Sequence, residues 1–564
     1  MSDARWRRAV TPTLIGAVAV VVAFAVLAWH RRWISDDGLI VVRTVRELLA
    51  GNGPVYNAFE RAEPNTSTLW TYLLALFGTT GASLPHLAVA LGGLCAVGGA
   101  VLAMDGARRW HRARGAAGLL APAGALILVG ASPFWDFATS GLETGLGQLW
   151  LALAWWLLVG LRDGGTPRRH WITAVVLGLG PLVRPDFAIA TVAFGAAAQR
   201  LVRPSAGRTV RLAAAALALP VAYEMFRAGY YGALVPLPAL AKSASASQWS
   251  RGLYYLWNFL HPYALWLPIA ALAAVLVAAL ARRQIAGRDR VIAAAPIAAG
   301  LAMALYVVRV GGDFMHARML LPAAFAIALP AMLLPVRRAT ARALIVLAGW
   351  ALVVGIRRDD RFSRVSAYWL SDDRLGYRAW THDPHPIDEA VFVAADRPGS
   401  QKVADALRDH RHRLISERDE LDVALDPALD APVAYAVGRL GTGGAVVPLD
   451  GIVADTLGLA SPLGARITPT APGLVGHEKP LPLAWLLALY ADPALAAFPA
   501  DAPAAQVAAA RRALGCGELA ELIASARAPL TAARFRDNLI GAWRRTQLVI
   551  PSDPIAAEAQ FCGR

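Results

Sequence analysis

The chain has 564 residues, 57% of them hydrophobic and only 17% charged, with a mean hydropathy of +0.45. That composition excludes an ordinary soluble protein of this length. A formal charge of +15 would suit a nucleic-acid partner, but its distribution excludes that too, because the basic residues sit between apolar runs.

The apolar runs are about 18 to 22 residues long, enough to cross roughly 30 Å of hydrocarbon as helix. The first, 12–29, follows the basic cluster Arg5, Arg7 and Arg8 and carries no small-residue cleavage site, so it reads as a retained anchor. Further spans are predicted at 84–104, 115–134, 142–161, 212–226, 262–280, 291–308, 319–336 and 339–356. Arg184, Pro185 and Asp186 break the stretch 171–198, which reads as two short helices. The total is about eleven crossings. Residues 69–82 are too short to cross and are expected to re-enter or lie in the interface. The chain thus divides into a membrane part, 1–356, with an exterior first loop at 30–83, and a tail of about 200 residues, 357–564.

Alternate loops (1–11, 105–115, 162–170, 199–211, 281–290 and 337–342) hold 21 Arg and 4 Asp, a net +17 that exceeds the charge of the whole chain. The loop 30–67 balances five Arg against five acids, and the tail has 23 basic and 26 acidic residues. This is the positive-inside pattern, which predicts a plasma-membrane protein with a cytoplasmic N-terminus and an extracytoplasmic first loop and tail.

That first loop opens with Asp36 and Asp37. Ser35 can cap a helix running to about Ala50, with Gly51 as its stop. Val41, Val42, Val45, Leu48 and Leu49 form one stripe of it, and Asp36, Arg43 and Glu47 the opposite face, expected to face a cavity. Two readings stand side by side. The carboxylates complement the positive end of the helix, or they serve as base or metal ligand. Adjacent residues point about 100° apart, so the two would have different roles, with Asp36 expected to react. Other predicted exterior loops bring ionisable groups to the same face: Asp136, Glu143, Arg184, Asp186, Tyr230, Tyr231, Lys242, Arg309, Asp313, His316 and Arg318. Such residues at span ends serve as paired structural charges or mark a site; Arg309, His316 and Arg318 together would suit a phosphate.

In the tail, APVAYAVGRLG and GGAVVPLDGIVADTLGLASPLG read as strand and turn, whereas PAAQVAAARRALG and GELAELIASARA have helical periodicity, giving a mixed α/β domain. Cys516 and Cys562 are its only thiols, lie where oxidation is permitted, and are expected to pair. Cys95 lies in a span. No Walker loop, GxSxG or HExxH is present.

An acidic pair in the first exterior loop, a helical bundle, an exterior tail and no nucleotide site together resemble the GT-C glycosyltransferases. The blocks WISDDGLIVVRTVRELLAGNGPV, EPNTSTLWTYLL, DFATSGLETGL, LVRPDFAI, FRAGYYGALVPLPALAK, NFLHPYALW and GGDFMHARMLL resemble, more narrowly, the mycobacterial terminal β-(1→2)-arabinofuranosyltransferases, the AftB family. The similarity runs from about 30 to 335 and resumes weakly in the tail at DTLGLASPL, GHEKPLP, Cys516 and Cys562. The resemblance implies a decaprenyl-phosphoryl-arabinofuranose donor and, as acceptor, the arabinan of arabinogalactan or lipoarabinomannan, with Asp36 and Asp37 as the catalytic pair. Beside that pair, the candidate donor-phosphate contacts are Arg43, Arg184, Lys242, Arg309, His316 and Arg318, and the candidate acceptor contacts are Glu63, Asn65, Trp70, Glu143, Tyr230, Tyr231 and Asp313. A divalent cation, magnesium or manganese, at the acidic pair suits the class, though no sequence feature demands one. The rival readings are a transferase of another polyprenyl-linked sugar, a transporter, for which repeated halves with broken midplane helices are expected, and a membrane sensor.

Overall fold

The computed structural model describes residues 2–242, 247–282, 284, 285, 287–356, 368, 370–416, 420–469 and 477–563. The boundary read at 356/357 opens onto 357–367, which lie outside the described residues. Two compact units are present, each assembled from three segments: 1–33, 88–220 and 247–376 in the first, and 34–87, 221–246 and 377–564 in the second. The first loop around Asp36 therefore belongs to the unit that holds the tail.

Among the described residues, four helices are long and apolar enough to cross a bilayer: Pro12–His30, Leu84–Ala113, Ala206–Tyr231 and Gly287–Arg309. Thr144–Val159, Trp266–Ala281 and Thr340–Gly355 are apolar but shorter. The stretch 171–198 is Pro167–Gly178 and Ala188–Val202, separated at Arg184 by extended backbone that Pro185 enforces. The runs 115–134 and 319–336 are not continuous helices. Pro122 and Pro133 interrupt one, Pro330 and Pro335 the other, and the two meet in an antiparallel bridge that pairs Leu120 with Pro335 and Ala121 with Leu334. Helices in the first unit approach closely through small residues: a Cβ at Gly145 would overlap the carbonyl of Gly92.

The second unit carries a four-stranded sheet: β1 (Arg413–Ser416), β2 (Leu421–Ala424), β3 (Val433–Val437) and β4 (Ile452–Asp455), in the order β2-β1-β3-β4. β2 runs antiparallel to β1, while β1, β3 and β4 are parallel. Helix Leu440–Val446 makes the crossover from β3 to β4. GGAVV, read from its β-branched residues as strand, is partly helical there, because the crossover between parallel strands needs a helix and packing overrides propensity. Trp485, Tyr490, Leu487 and Val507 form the core on one side of the sheet. Helices Ala504–Leu514 and Gly517–Arg527 follow the predicted periodicity, and Cys516 and Cys562 are joined in a disulfide with a Cα–Cα distance of 5.2 Å.

Candidate active site

Ser35 takes the N-cap of helix Asp36–Leu49, its Oγ accepting from Gly38 N at 3.0 Å, and Gly51 ends the helix at φ +89°. Asp36 is buried. Its Oδ2 accepts from Gly441 N at 2.9 Å, and its Oδ1 from Thr442 N at 2.8 Å and Thr442 Oγ1 at 2.9 Å. These donors open helix Leu440–Val446, which has no side-chain cap of its own, so Asp36 caps it from across the chain. The place is the carboxyl end of β3, where an anion is favoured by the helix end; here a carboxylate of the same chain fills it. Gly441 permits the approach, since a Cβ there would overlap the Asp36 carbonyl. Burial pushes the Asp36 carboxyl up to about 6, and the hydrogen bonds from Gly441 and Thr442 oppose the rise. Three of a carboxylate's roughly four acceptor positions are filled. Asp37, one residue on, is partly exposed.

The polar face of this helix does not open onto a cavity. Arg43 is completely buried and spends all five N–H groups on backbone carbonyls: Nε on Tyr56 at 2.9 Å, Nη1 on Gly444 and Val447 at 3.2 and 2.7 Å, and Nη2 on Pro448 and Gly451, both at 3.2 Å. No N–H remains for a phosphate, which removes Arg43 from the donor-binding set. Glu47, also buried, lies 3.5 Å from Arg43 and accepts from Asn52 at 2.7 Å. The cause is the tail: an edge that looks solvent-facing in sequence packs on residues about 400 positions away.

In the same unit, Glu63 is held by Arg227 (Nε to Oε2, 2.7 Å) and Tyr223 (Oη to Oε1, 2.7 Å). Asn65 and Trp70 are buried. Tyr231 donates to the Pro54 carbonyl at 2.6 Å, and Tyr230 stacks on Phe226 with centroids 4.9 Å apart. Lys242 follows helix Leu237–Ala241.

The first unit gathers a different set. Arg184 pairs with Asp186 at 2.9 Å and Glu143 at 3.2 Å, and Arg318 lies 3.8 Å from Glu143 and 3.6 Å from Asp313. Arg309 is exposed at the end of its helix and stands outside this cluster. His316 is buried between Asn258 Oδ1, 2.6 Å from Nδ1, and Tyr263 Oη, 3.0 Å from Nε2. The acceptor at Asn258 assigns the proton to Nδ1, and burial pushes the imidazole down to about 4. It is neutral at physiological pH and adds no charge to a phosphate site. A small cleft lies beside it, lined by Asp136, Tyr263, Asp372 and Arg374 among others. Asp136 pairs with Arg31 at 2.6 Å, and Arg374 donates to the Arg31 carbonyl at 2.7 Å. Arg31 and Arg374 carry no sequence signal beyond charge.

The acidic pair does not fit a cation shared between two carboxylates. Gly441 and Thr442 direct N–H and O–H donors at Asp36, where a metal would need lone pairs. Among the described residues no group of three His, Cys, Asp or Glu could hold a metal ion.

A model of the AftB family C-terminal domain matches residues 409–558, from β1 to the last helix. The terminal β-(1→2)-arabinofuranosyltransferase of Mycobacterium tuberculosis is 35% identical, over 96% of this chain and 96% of its own length. The protein of the same name from Corynebacterium glutamicum is also 35% identical, over 94% of this chain and 84% of its own. No solved structure matches the chain.

Proposed function

Because the chain belongs to the family of terminal β-(1→2)-arabinofuranosyltransferases, we propose that it caps arabinan chains with β-(1→2)-linked arabinofuranose taken from decaprenyl-phosphoryl-arabinofuranose. The observation that supports this reading most directly is the carboxylate pair at the head of helix Asp36–Leu49, one member buried and the other partly exposed. We assign Asp37 as the reacting carboxylate and Asp36 as the group that positions it. Asp36 pins the first turn of the helix to the tail, and Asp37, about 100° further round, takes its orientation from that turn.

The expected donor and product linkages are both β, so transfer retains configuration. Retention requires a covalent sugar–carboxylate intermediate or attack on the face the phosphate leaves. On the covalent route an ionised carboxylate forms a bond to C1 as the phosphate leaves, and the acceptor oxygen then displaces it; on the same-face route the carboxylate only stabilises positive charge at C1. The C1–O bond to phosphate breaks with its electrons leaving on the polyprenyl phosphate, the bond from C1 to the acceptor oxygen forms, and the acceptor proton passes to a carboxylate or to the departing phosphate. In the orientation we propose, the 21 Arg and 4 Asp of the alternate loops are cytoplasmic, and about eleven segments of a GT-C bundle enter the bilayer. Incubating the purified protein with labelled decaprenyl-phosphoryl-arabinofuranose and a synthetic arabinan should give a product with a new terminal β-(1→2) linkage. Absence of arabinose transfer, or a different linkage, overturns the reading.

A further inference from the structure

In the second unit, a small cavity lies among Arg61, Glu63, Tyr231, Leu237, Arg466 and Leu522. Its charges are unbalanced. Both oxygens of Glu63 are engaged, by Arg227 and Tyr223, and Arg227 is shared with Glu224. Arg466, only 4% exposed, donates from Nε to the Arg545 carbonyl and from Nη1 to the Pro462 carbonyl, both at 2.7 Å. Among the described residues it meets no carboxylate. Arg61 donates from Nε to Tyr230 O at 3.2 Å and from Nη2 to Ser525 O at 2.9 Å, again without a carboxylate among the described residues. Nearby Lys479 also gives its ammonium to two carbonyls, those of Leu240 and Ala465. Arg43 shows the contrast, with all five donors spent and Glu47 beside it. Arg466 spends two.

A buried cation without a counter-charge is costly. A neutral ligand would leave that cost in place, whereas an oxyanion would remove it through charge-assisted bonds from both guanidinium groups. We propose that this cavity binds one phosphate oxyanion, free or as the headgroup of a lipid, between Arg61 and Arg466. Burial lowers the affinity of both guanidinium groups for their protons, as expected of cations held without an acid.

The test uses the full-length protein in neutral detergent and does not depend on transfer activity. Inorganic phosphate is titrated against chloride at constant ionic strength while the unfolding midpoint is read, and phosphatidylglycerol is compared with phosphatidylcholine by native mass spectrometry. Saturable stabilisation by phosphate identifies the free anion, and selective retention of phosphatidylglycerol identifies the headgroup; either supports the proposal. Arg61→Gln, at a partly exposed position, should raise the phosphate or lipid Kd about tenfold or more, and Arg466→Lys should do so wherever it folds. Binding no stronger than chloride and phosphatidylcholine in the unsubstituted protein, or an unchanged Kd in Arg61→Gln, overturns it.

Discussion

Asp36 and Asp37 differ by one position and in burial. Asn at position 36 would keep an oxygen for Thr442 but turn an NH₂ toward a backbone N–H, losing one buried bond. Asp36→Asn should therefore cost about 1–2 kcal/mol of stability. Asp37→Asn should lower transfer at least roughly 10²-fold; near-normal transfer by Asp37→Asn rejects its role. The pH dependence has a definite sign. Folding lifts the Asp36 pKa from 3.8 to about 6, so the folded state binds more protons between those values. Stability from this group rises as pH falls through that window, by up to about 3 kcal/mol. Since Asp36→Asn cannot titrate, the difference in midpoint between the two proteins should move in favour of Asp36 on acidification from pH 7 to pH 5. A difference that stays flat contradicts the assignment. The pair is legible in the sequence because a cap, two acids and a membrane boundary coincide, and local pattern favours Asp36 as the reacting member. The proposal that Asp37 reacts instead rests on a pair of donors to Asp36 that lie 405 and 406 residues away, invisible to any local pattern.

The helix Asp36–Leu49 is legible at both ends, since Ser35 and Gly51 act within one turn of their positions. Its environment is not. An amphipathic stripe reports that one face is apolar; it cannot report that the polar face is buried as well. Arg43→Gln should show this strongly, leaving several carbonyls without donors and Glu47 without its cation, at a cost of about 3–5 kcal/mol. Thermal unfolding of the purified protein measures it. Within the tail, the pieces with clear helical period are helices, whereas the short helix Leu440–Val446 looks like strand locally because only its place between parallel strands makes it helical. The disulfide closes a loop with a sequence separation of 46. Cys516→Ser should cost roughly 3–4 kcal/mol in the chain-entropy model. An unfolding midpoint equally unmoved by reductant and by the substitution would show that the bond adds nothing.

At the scale of the whole chain, hydropathy finds the apolar runs but treats each as one crossing. Length and charge do not reveal that prolines break 115–134 and 319–336 into a bridged pair. Orientation remains a direct prediction: a periplasm-active reporter fused at Ala394 should be active and one at Gly164 inactive, and the reverse pattern would invert the proposed topology. The same long separations bear on biosynthesis. Segments 34–87 and 221–246 share a compact unit with 377–564, and the partners of Asp36 are made 405 residues after it. At about 5–20 residues per second, the ribosome needs roughly 20 to 80 s to cover that interval. Throughout it, Asp36 and four of the five Arg43 N–H groups wait, unmet by the partners they will have in the folded chain. Any shortening of the message that removes Leu440–Gly451 would make the wait permanent, leaving a complete set of apolar helices with an exposed charged segment for quality-control proteases to find.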